Sequence, residues 1–438
     1  MEQKQIGIIA GAVIVVGVLL LGIIAFLPSG PDTVDGLPAE LKVGGVFPIT
    51  QRYEAGRDRR DGFLIAIDEI NAQTGANRIL PEGVTLVPIV KDDLNTAAGG
   101  TQAAQDLIAE GVHVVIGSSG SSVSGAMQDV LKGEDIVQLS YASSSPTLSD
   151  RTAYPLFARN VASDADQGVA ISDLAQAFGF TSGATINTDD TYGKGLVAVF
   201  KTDFVASGGS LVSEQTFQPS ATEVGSQIQA IKDANPDFVV LNAIDTDAAV
   251  VLAKAKELQL LDHANAIPWF ITDGSTTGAT FAGSQTVQDA MQNILGTRPG
   301  VSTSPQALAF NTTWFSLQEC GGSFCEGPLY SQDSGAAYNT YAAFAYDAVY
   351  VMAKALAKAK SVEGQTLYDA LLTIEHSGAS GEIKFNSLGE LNTEYEIVTL
   401  EGTTFKVLGS WFGTLTLTAS TITFPDGSSC TVANNECT

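Results

Sequence analysis

The chain has 438 residues and a formal net charge of −26, with 22 lysines and arginines against 48 aspartates and glutamates. So few cations could not neutralise a run of phosphates, which excludes nucleic acid as a partner. The apolar fraction of 45% can build large cores, and the length exceeds one ordinary domain, so we expect two lobes with an appendage.

The first patterned segment is a hydrophobic run near the N-terminus. Ile6–Leu27 carries no charge and is about 33 Å long as a helix, which is enough to cross a membrane. Lys4 precedes it and acidic residues follow, which favours a body on the extracytoplasmic side. A cleaved signal peptide is the alternative, but Phe26–Ser29 does not supply a small-residue cleavage site. We therefore predict a membrane anchor and tether over residues 1–40, in a single-pass protein of the cell membrane.

After the tether, strand patterns alternate with helical ones. Leu41–Pro48 is typical of a strand, and the segment Arg59–Ala72 that follows has helical spacing. Its apolar residues, Phe63 and Ile67 among them, face inward, and Arg59 is expected on the solvent side. Further strands are predicted at Pro81–Val90, His113–Ile116, Ile136–Leu139, Phe157–Val161, Gly183–Asn187, Leu211–Phe217, Asp237–Leu241 and Ile267–Ile271. This alternation predicts an α/β fold with parallel, doubly wound sheets, and it is too long for one sheet.

Two of these strands run into serine-rich loops. His113–Ile116 leads into Gly117–Gly125, and Ile136–Leu139 leads into Tyr141–Ser145. Parallel strands place their carboxyl ends side by side, where open α/β sheets bind ligands. Hydroxyls, backbone N–H groups and the start of a helix at these strand ends would suit one small polar ligand. Flexible connections, which Gly/Ser-rich stretches usually are, remain the alternative.

The histidines, the cysteines and one asparagine indicate whether the protein has a metal site and in which cellular compartment it lies. The three histidines lie far apart in the sequence, so we predict no metal site and no cofactor. The four cysteines form two close pairs without CxxC or zinc spacing, Cys320 with Cys325 and Cys430 with Cys437. Two small disulfide loops in an oxidising, extracytoplasmic compartment are the best interpretation. Asn311 begins an N-x-[ST] sequon and is a candidate site of surface glycosylation.

The last third of the chain is less regular. Tyr338–Ala359 predicts a helix that is apolar on most faces and therefore buried against a sheet. Tyr395–Leu400 is typical of a strand that leads through a hairpin to Trp411. Residues 412–438 are threonine-rich and predict a C-terminal β extension that carries the second cysteine pair.

A set of motifs, spread in order over residues 41–411, resembles a known family. The motifs are VGGVFPIT with DGFLIAIDEIN, VVIGSS, LSYASSSPTL, FARNVASDADQG, TDDTYGKGL and YAAFAYDAVY. They resemble those of the branched-chain amino-acid (Leu/Ile/Val) binding proteins, which are type I periplasmic-type substrate-binding proteins of ABC transporters. The family also includes amide and urea binders and sensory receptors.

The resemblance implies an architecture of two doubly wound, Rossmann-like lobes with a three-crossover hinge and the ligand between them. We expect the crossovers near Ala162, Leu295 and Gly378. The implied division is 1–40 for the anchor, 41–161 and 296–378 for lobe 1, 162–295 and 379–411 for lobe 2, and 412–438 for the extension.

The resemblance also implies which residues touch the ligand. Ser121 aligns with the serine that binds the ligand's α-carboxylate, and Ala142 with the residue whose backbone carbonyl meets the ammonium. Ser144 aligns with a residue that touches both groups through its hydroxyl and N–H. Tyr53 and Tyr192 fall at the aromatic positions of the first loop and of the second lobe.

Two positions depart from the family pattern. Asp273 stands where a glutamate usually pairs with the ammonium, and Ile244 replaces a third aromatic residue, followed by Asp245 and Asp247. These two departures leave the residues that would bind the α-carboxylate and the ammonium of the ligand in place. The side-chain pocket would suit an aliphatic side chain, or a more polar or cationic one.

The resemblance implies that the protein captures an amino acid by hinge closure and delivers it to the permease subunits of an ABC transporter. A branched-chain or other aliphatic amino acid is the first expectation. The alternatives are an amide or urea binder, a ligand-sensing receptor module and a structural envelope protein that binds nothing. No Ser–His–acid set, GxSxG elbow or Walker A motif occurs in the sequence, so we do not expect an enzyme.

Overall fold

The computed structural model describes residues 33–261, 263–264, 266–276, 284–300, 302–318 and 340–437. The predicted anchor helix and the Cys320–Cys325 pair lie outside these residues. Within the described ranges, no helix is long and apolar enough to cross a membrane.

The first lobe is built on a five-stranded parallel sheet. Its strands are β1 Glu40–Phe47, β2 Thr85–Asp92, β3 Val114–Ile116, β4 Val137–Ser140 and β5 Phe157–Arg159. They lie in the order β2-β1-β3-β4-β5, and every neighbouring pair is parallel. The central strands are buried on both faces, as expected for a parallel sheet covered by helices on each side.

The second lobe is built on an eight-stranded mixed sheet. Its strands are β6 Ser182–Thr188, β7 Ser210–Phe217, β8 Phe238–Asn242, β9 Trp269–Ile271, β10 Leu295–Pro299, β11 Tyr395–Glu401, β12 Thr404–Trp411 and β13 Leu415–Leu417. They lie in the order β13-β12-β11-β10-β9-β8-β6-β7. The part from β10 to β7 is parallel, whereas β11, β12 and β13 are antiparallel to their neighbours.

Helices cover both faces of each sheet. The helices are α1 Tyr53–Ala72, α2 Ala97–Ala109, α3 Ser121–Leu131, α4 Asp164–Ala177, α5 Thr191–Ala206, α6 Gly225–Ala234, α7 Asp245–Glu257, α8 Gln285–Ala290, α9 Pro305–Gln318, α10 Tyr341–Ala359 and α11 Gly364–Leu371. In the first lobe α1, α10 and α11 pack on one face, and α2 and α3 on the other. In the second lobe α6, α7 and α8 share one core, and α4 and α5 the other. The predicted α/β fold with doubly wound parallel sheets is confirmed.

Two of the predicted crossovers need correction. The chain stays in the second sheet until Pro299, the end of β10, and not only until Leu295. Ile383, Phe385 and Leu391 belong to the first core, so the chain returns to the second sheet after Leu391 rather than near Gly378. The resemblance misplaced both points because strands of either lobe have the same apolar character.

The C-terminal segment is β structure as predicted, because Thr421–Thr423, Ser429–Ala433 and Glu436–Cys437 form a three-stranded sheet of their own, but it also packs on the second lobe. Leu415–Leu417 forms the edge strand β13, and Ile422 is buried in a core of the second lobe. Cys430 lies on a strand of this segment, and its bridge to Cys437 stays a prediction because the Cys437 side chain lies outside the described residues. Asn311 lies inside helix α9 and is half-buried, and its glycosylation stays a prediction.

Short elements complete the described chain. They are the strands Thr33–Val34, Leu37–Pro38, Glu375–Ser377, Glu382–Lys384, Thr421–Thr423, Ser429–Ala433 and Glu436–Cys437, and the 3-10 helices Gly75–Asn77, Lys132–Glu134 and Pro146–Ser149.

Candidate functional site

The strand order of each sheet creates a crevice at its carboxyl edge. The order reverses between β1 and β3 in the first sheet and between β6 and β8 in the second. Ligands of open α/β sheets bind at such switch points. Residues that follow these strands, together with those that follow β4 and β9, line one cavity of about 250 Å³ between the lobes. The cavity is smaller than the pockets of about 300–1,000 Å³ that take drug-sized ligands.

The first-lobe wall contains the predicted residues of both serine loops. Ser121 is the first residue of α3, and its hydroxyl accepts a hydrogen bond of 3.2 Å from the N–H of Ser145. The Ser144 hydroxyl donates to the Asp164 carboxylate at 3.0 Å. Ser121, Ser144 and Ala142 all line the cavity. Hydroxyls and free N–H groups at a helix start favour an anionic group at this wall.

The other serines of these loops form a frame beneath the wall. The Ser143 hydroxyl lies 2.8 Å from that of Ser124 and donates to the carbonyl of Ser118 at 3.1 Å. Ser140 donates to the same carbonyl at 2.6 Å. The Ser118 hydroxyl donates to the carboxylate of Asp93, whose pKa is raised to about 6 mainly by burial. The two loops are therefore joined by buried hydrogen bonds, which argues against flexible linkers.

Asp273 lies at the centre of the second-lobe wall. One carboxylate oxygen accepts from the Tyr192 hydroxyl at 2.9 Å, and the other accepts from the Tyr341 hydroxyl at 2.5 Å. Tyr341 begins α10 in the first lobe, so this second hydrogen bond crosses the cleft. Burial, and then the charge of Asp273, raise the pKa of both tyrosines well above the ordinary value, so both remain donors. Tyr53 begins α1, and its side chain lies outside the described residues.

Asp164 does not line the cavity, but it accepts a hydrogen bond from the cavity residue Ser144, and the sequence did not predict it. It is fully buried, and its Oδ1 has no hydrogen-bond partner among the described residues. Burial, and then the negative charge of Asp273, raise its pKa well above the ordinary value. In the sequence Asp164 follows Ser163, the N-cap of α4, so it has the usual place of a first-turn acid. Because an acid is common in the first turn of a helix, the sequence pattern does not indicate that Asp164 lies close to Asp273.

Two arginines also line the cavity and were not predicted. Arg59 is 2% exposed and lies over the ring of Tyr341, 5.1 Å from its centroid, so the expectation that it faces solvent is wrong. Its Nε and Nη1 are buried without a hydrogen-bond acceptor among the described residues. Burial, and then the charge of Arg52, lower its pKa, but an arginine remains cationic. Helical spacing from Phe63 and Ile67 was the signal that could have placed Arg59 on the buried face.

Ile244 lies at the cavity as predicted, and the two aspartates near it have other partners. Asp245 forms an ion pair of 2.7 Å with Arg52 across the cleft, and both side chains are nearly buried. Asp247 accepts from the N–H of Ser220 at 2.9 Å and lines the cavity. Ile244, Asp247 and the cation of Arg59 line the same cavity, so the preference for an aliphatic, more polar or cationic side chain stays a prediction.

Comparison with known proteins identifies the class. The family model described as "Receptor family ligand binding region" matches residues 59–403, so the chain belongs to this family. A leucine-binding protein from Thermotoga maritima has the same fold, with a TM-score of 0.71 and 19% sequence identity over 84% of this chain and 98% of that one. The chain is thus a ligand-binding module of the type I periplasmic binding protein class and not an enzyme.

Curated relatives cover most of the chain. Metabotropic glutamate receptor 6 of Oryctolagus cuniculus is 26% identical, with 91% of this chain and 56% of the receptor aligned. Glutamate receptor 3.1 of Oryza sativa is 23% identical over 87% of this chain and 42% of that protein. Metabotropic glutamate receptor 8 of Homo sapiens is 25% identical over 88% and 50%, respectively. The chain spans about half the length of these relatives.

Proposed function

We propose that the protein captures an α-amino acid with an acidic side chain between its two lobes. The observation that carries the proposal is the presence of both charges in one cavity. Asp273 lines it, and so does the buried guanidinium of Arg59, two nitrogens of which lack an acceptor among the described residues.

The α-amino-acid end follows from the hydrogen-bonding groups. Ser121, Ser144 and the start of α3 provide donors for the α-carboxylate. Asp273 provides negative charge for the ammonium from the second-lobe wall, and Ala142 lines the first-lobe wall of the same cavity. A charge-assisted hydrogen bond in a closed cleft contributes about 1.5–3 kcal/mol, so both ends of the ligand are needed for tight binding.

The side-chain preference follows from Arg59. A buried guanidinium is costly unless it is paired and hydrogen-bonded, and a carboxylate of the ligand would complete it. A leucine or valine side chain would leave two nitrogens of this cation without an acceptor, so the aliphatic ligand of the family resemblance is the weaker candidate. The printed names of the curated relatives, which are glutamate receptors, agree with an acidic ligand.

The capture step is hinge closure in an extracytoplasmic, membrane-tethered protein. The Arg52–Asp245 ion pair and the Tyr341–Asp273 hydrogen bond join the lobes at the cavity, so a ligand that fits the cavity stabilises the closed form. We propose delivery of the ligand to an ABC permease. The alternative is a sensing role, favoured by the receptor names of the relatives. Cells that lack the protein would lose uptake of the ligand in the first case, and would keep uptake but lose a response in the second.

Calorimetric titration of the purified full chain tests the ligand class. The panel contains glutamate, aspartate, leucine, isoleucine, valine, arginine, urea and acetamide. We expect glutamate or aspartate to bind at least about tenfold more tightly than leucine, a difference of about 1.4 kcal/mol. Tighter binding of leucine would restore the aliphatic assignment, and binding of the amides alone would overturn the amino-acid assignment.

A further inference from the structure

A second buried arginine lies behind the serine loops. Arg159 ends β5 and is completely buried. Its Nη1 donates to the carbonyl of Ser143 at 3.1 Å and to that of Ser145 at 2.8 Å. These two carbonyls flank Ser144 in the chain, so the guanidinium holds the backbone that presents the Ser144 hydroxyl to the cavity.

The other nitrogen of the same guanidinium reaches the hinge. Its Nη2 donates to the Glu390 carboxylate at 2.6 Å and to the Ser163 hydroxyl at 3.0 Å, as well as to Ser149 at 2.9 Å. Ser163 lies in the first crossover, just before α4, and Glu390 lies in the third, before β11.

The two crossovers also run side by side at this point. Ala162 forms a parallel β-bridge with Leu391. The backbone N–H of Arg159 donates to the carbonyl of Gly389 at 2.9 Å. One side chain thus connects a ligand loop with two of the segments that must bend when the lobes close.

We infer that Glu390 is a positioning residue for ligand binding, which acts through Arg159 on the loop Ser143–Ser145. This inference rests on the proposed function, because the loop matters for binding only if Ser144 touches the ligand. Neither Glu390 nor Arg159 lines the cavity. The arginine has an exposed side-chain fraction of 0% and the glutamate one of 8%, so removal of the Glu390 charge deprives a buried cation of its direct ion-pair partner. The guanidinium then shifts toward other acceptors and releases the loop.

The test compares Glu390→Gln with the unchanged full chain. Titration with L-glutamate should show affinity reduced at least about tenfold, the loss that one charge-assisted contact can cause. In the Ser144→Ala background the same substitution should cost less than threefold, because the contact it positions is already gone. Glu69→Gln is the matched control, since Glu69 is a half-buried glutamate of the same lobe that accepts from Tyr346 and Tyr350.

A second measurement makes the outcome independent of the ligand. Amide hydrogen exchange of the Ser140–Ser149 region should be faster in Glu390→Gln and unchanged in Glu69→Gln. If Glu390→Gln does not fold, Ser149→Ala removes one hydroxyl partner of both Arg159 and Glu390 and should show the same exchange effect at smaller size. Unchanged exchange, or a loss of affinity that is fully additive with Ser144→Ala, would overturn the inference. A protein that binds no amino acid but shows the exchange effect would overturn the proposed function and with it the role in ligand binding, and would leave only the coupling of Glu390 to the loop.

Discussion

Arg59→Met is the substitution that separates an acidic from an aliphatic ligand. Methionine fills much of the same volume without charge, and Arg59 is 2% exposed with two nitrogens that lack an acceptor among the described residues. Hydrogen bonds to charged groups contribute about 1.5–3 kcal/mol, so glutamate should bind about 10- to 150-fold more weakly to the variant. Leucine should bind as well as before or better, because the variant removes a buried cation whose Nε and Nη1 lack an acceptor among the described residues.

The assay is calorimetric titration of both ligands, read as the ratio of their dissociation constants. Arg60→Met is the control, since Arg60 is the next residue of α1 and pairs with Asp61 away from the cavity. The reasoning is refuted if Arg59→Met binds glutamate within twofold of the unchanged protein, or if Arg60→Met changes the ratio to the same extent.

Three further predictions concern the carboxylates of the cleft. Asp273→Asn should weaken amino-acid binding about 10- to 100-fold by calorimetry, because it removes the counter-charge of the ammonium, and an unchanged affinity would exclude that role. The pKa of Asp164 is raised, and a bound ammonium would favour its carboxylate, so ligand binding should release a proton. The affinity for the amino acid should therefore rise with pH. Binding enthalpies that do not depend on the ionisation enthalpy of the buffer would contradict this. Asp245→Asn breaks the buried ion pair with Arg52 across the cleft. Stopped-flow measurements should therefore show ligand dissociation at least about tenfold faster than from the unchanged protein. An equal or slower dissociation rate would show that this ion pair does not stabilise the closed form.

The fold could be predicted from the sequence because its signals are local. Apolar runs such as Val114–Ile116 and Val137–Ser140 are bounded by glycine and serine, and the helices between them have clear spacing. What could not be predicted were the points where the chain changes lobes. Pro299 and Leu391 lie at those points, and they depend on which of two similar cores a segment joins.

Some residues of the candidate site could likewise be predicted from the sequence, and others could not. Ser121, Ser144 and Asp273 follow strands directly, so strand ends and family motifs were enough to bring them together. Arg59 and Tyr341 come from within or at the start of helices, and a buried cation in a helical pattern is first interpreted as solvent-facing. Only the packing of α1 against α10 places Arg59 over the Tyr341 ring at the cavity.

Titration of the full chain with L-glutamate and three analogues tests the central claim most directly. Glutarate lacks the ammonium, 4-aminobutyrate lacks the α-carboxylate and norvaline lacks the side-chain carboxylate. If the cavity binds all three groups, each analogue should bind at least about tenfold more weakly than L-glutamate. Norvaline that binds as tightly as L-glutamate would show that Arg59 does not recognise the ligand, and glutarate or 4-aminobutyrate that does so would show that the cavity is not an α-amino-acid site.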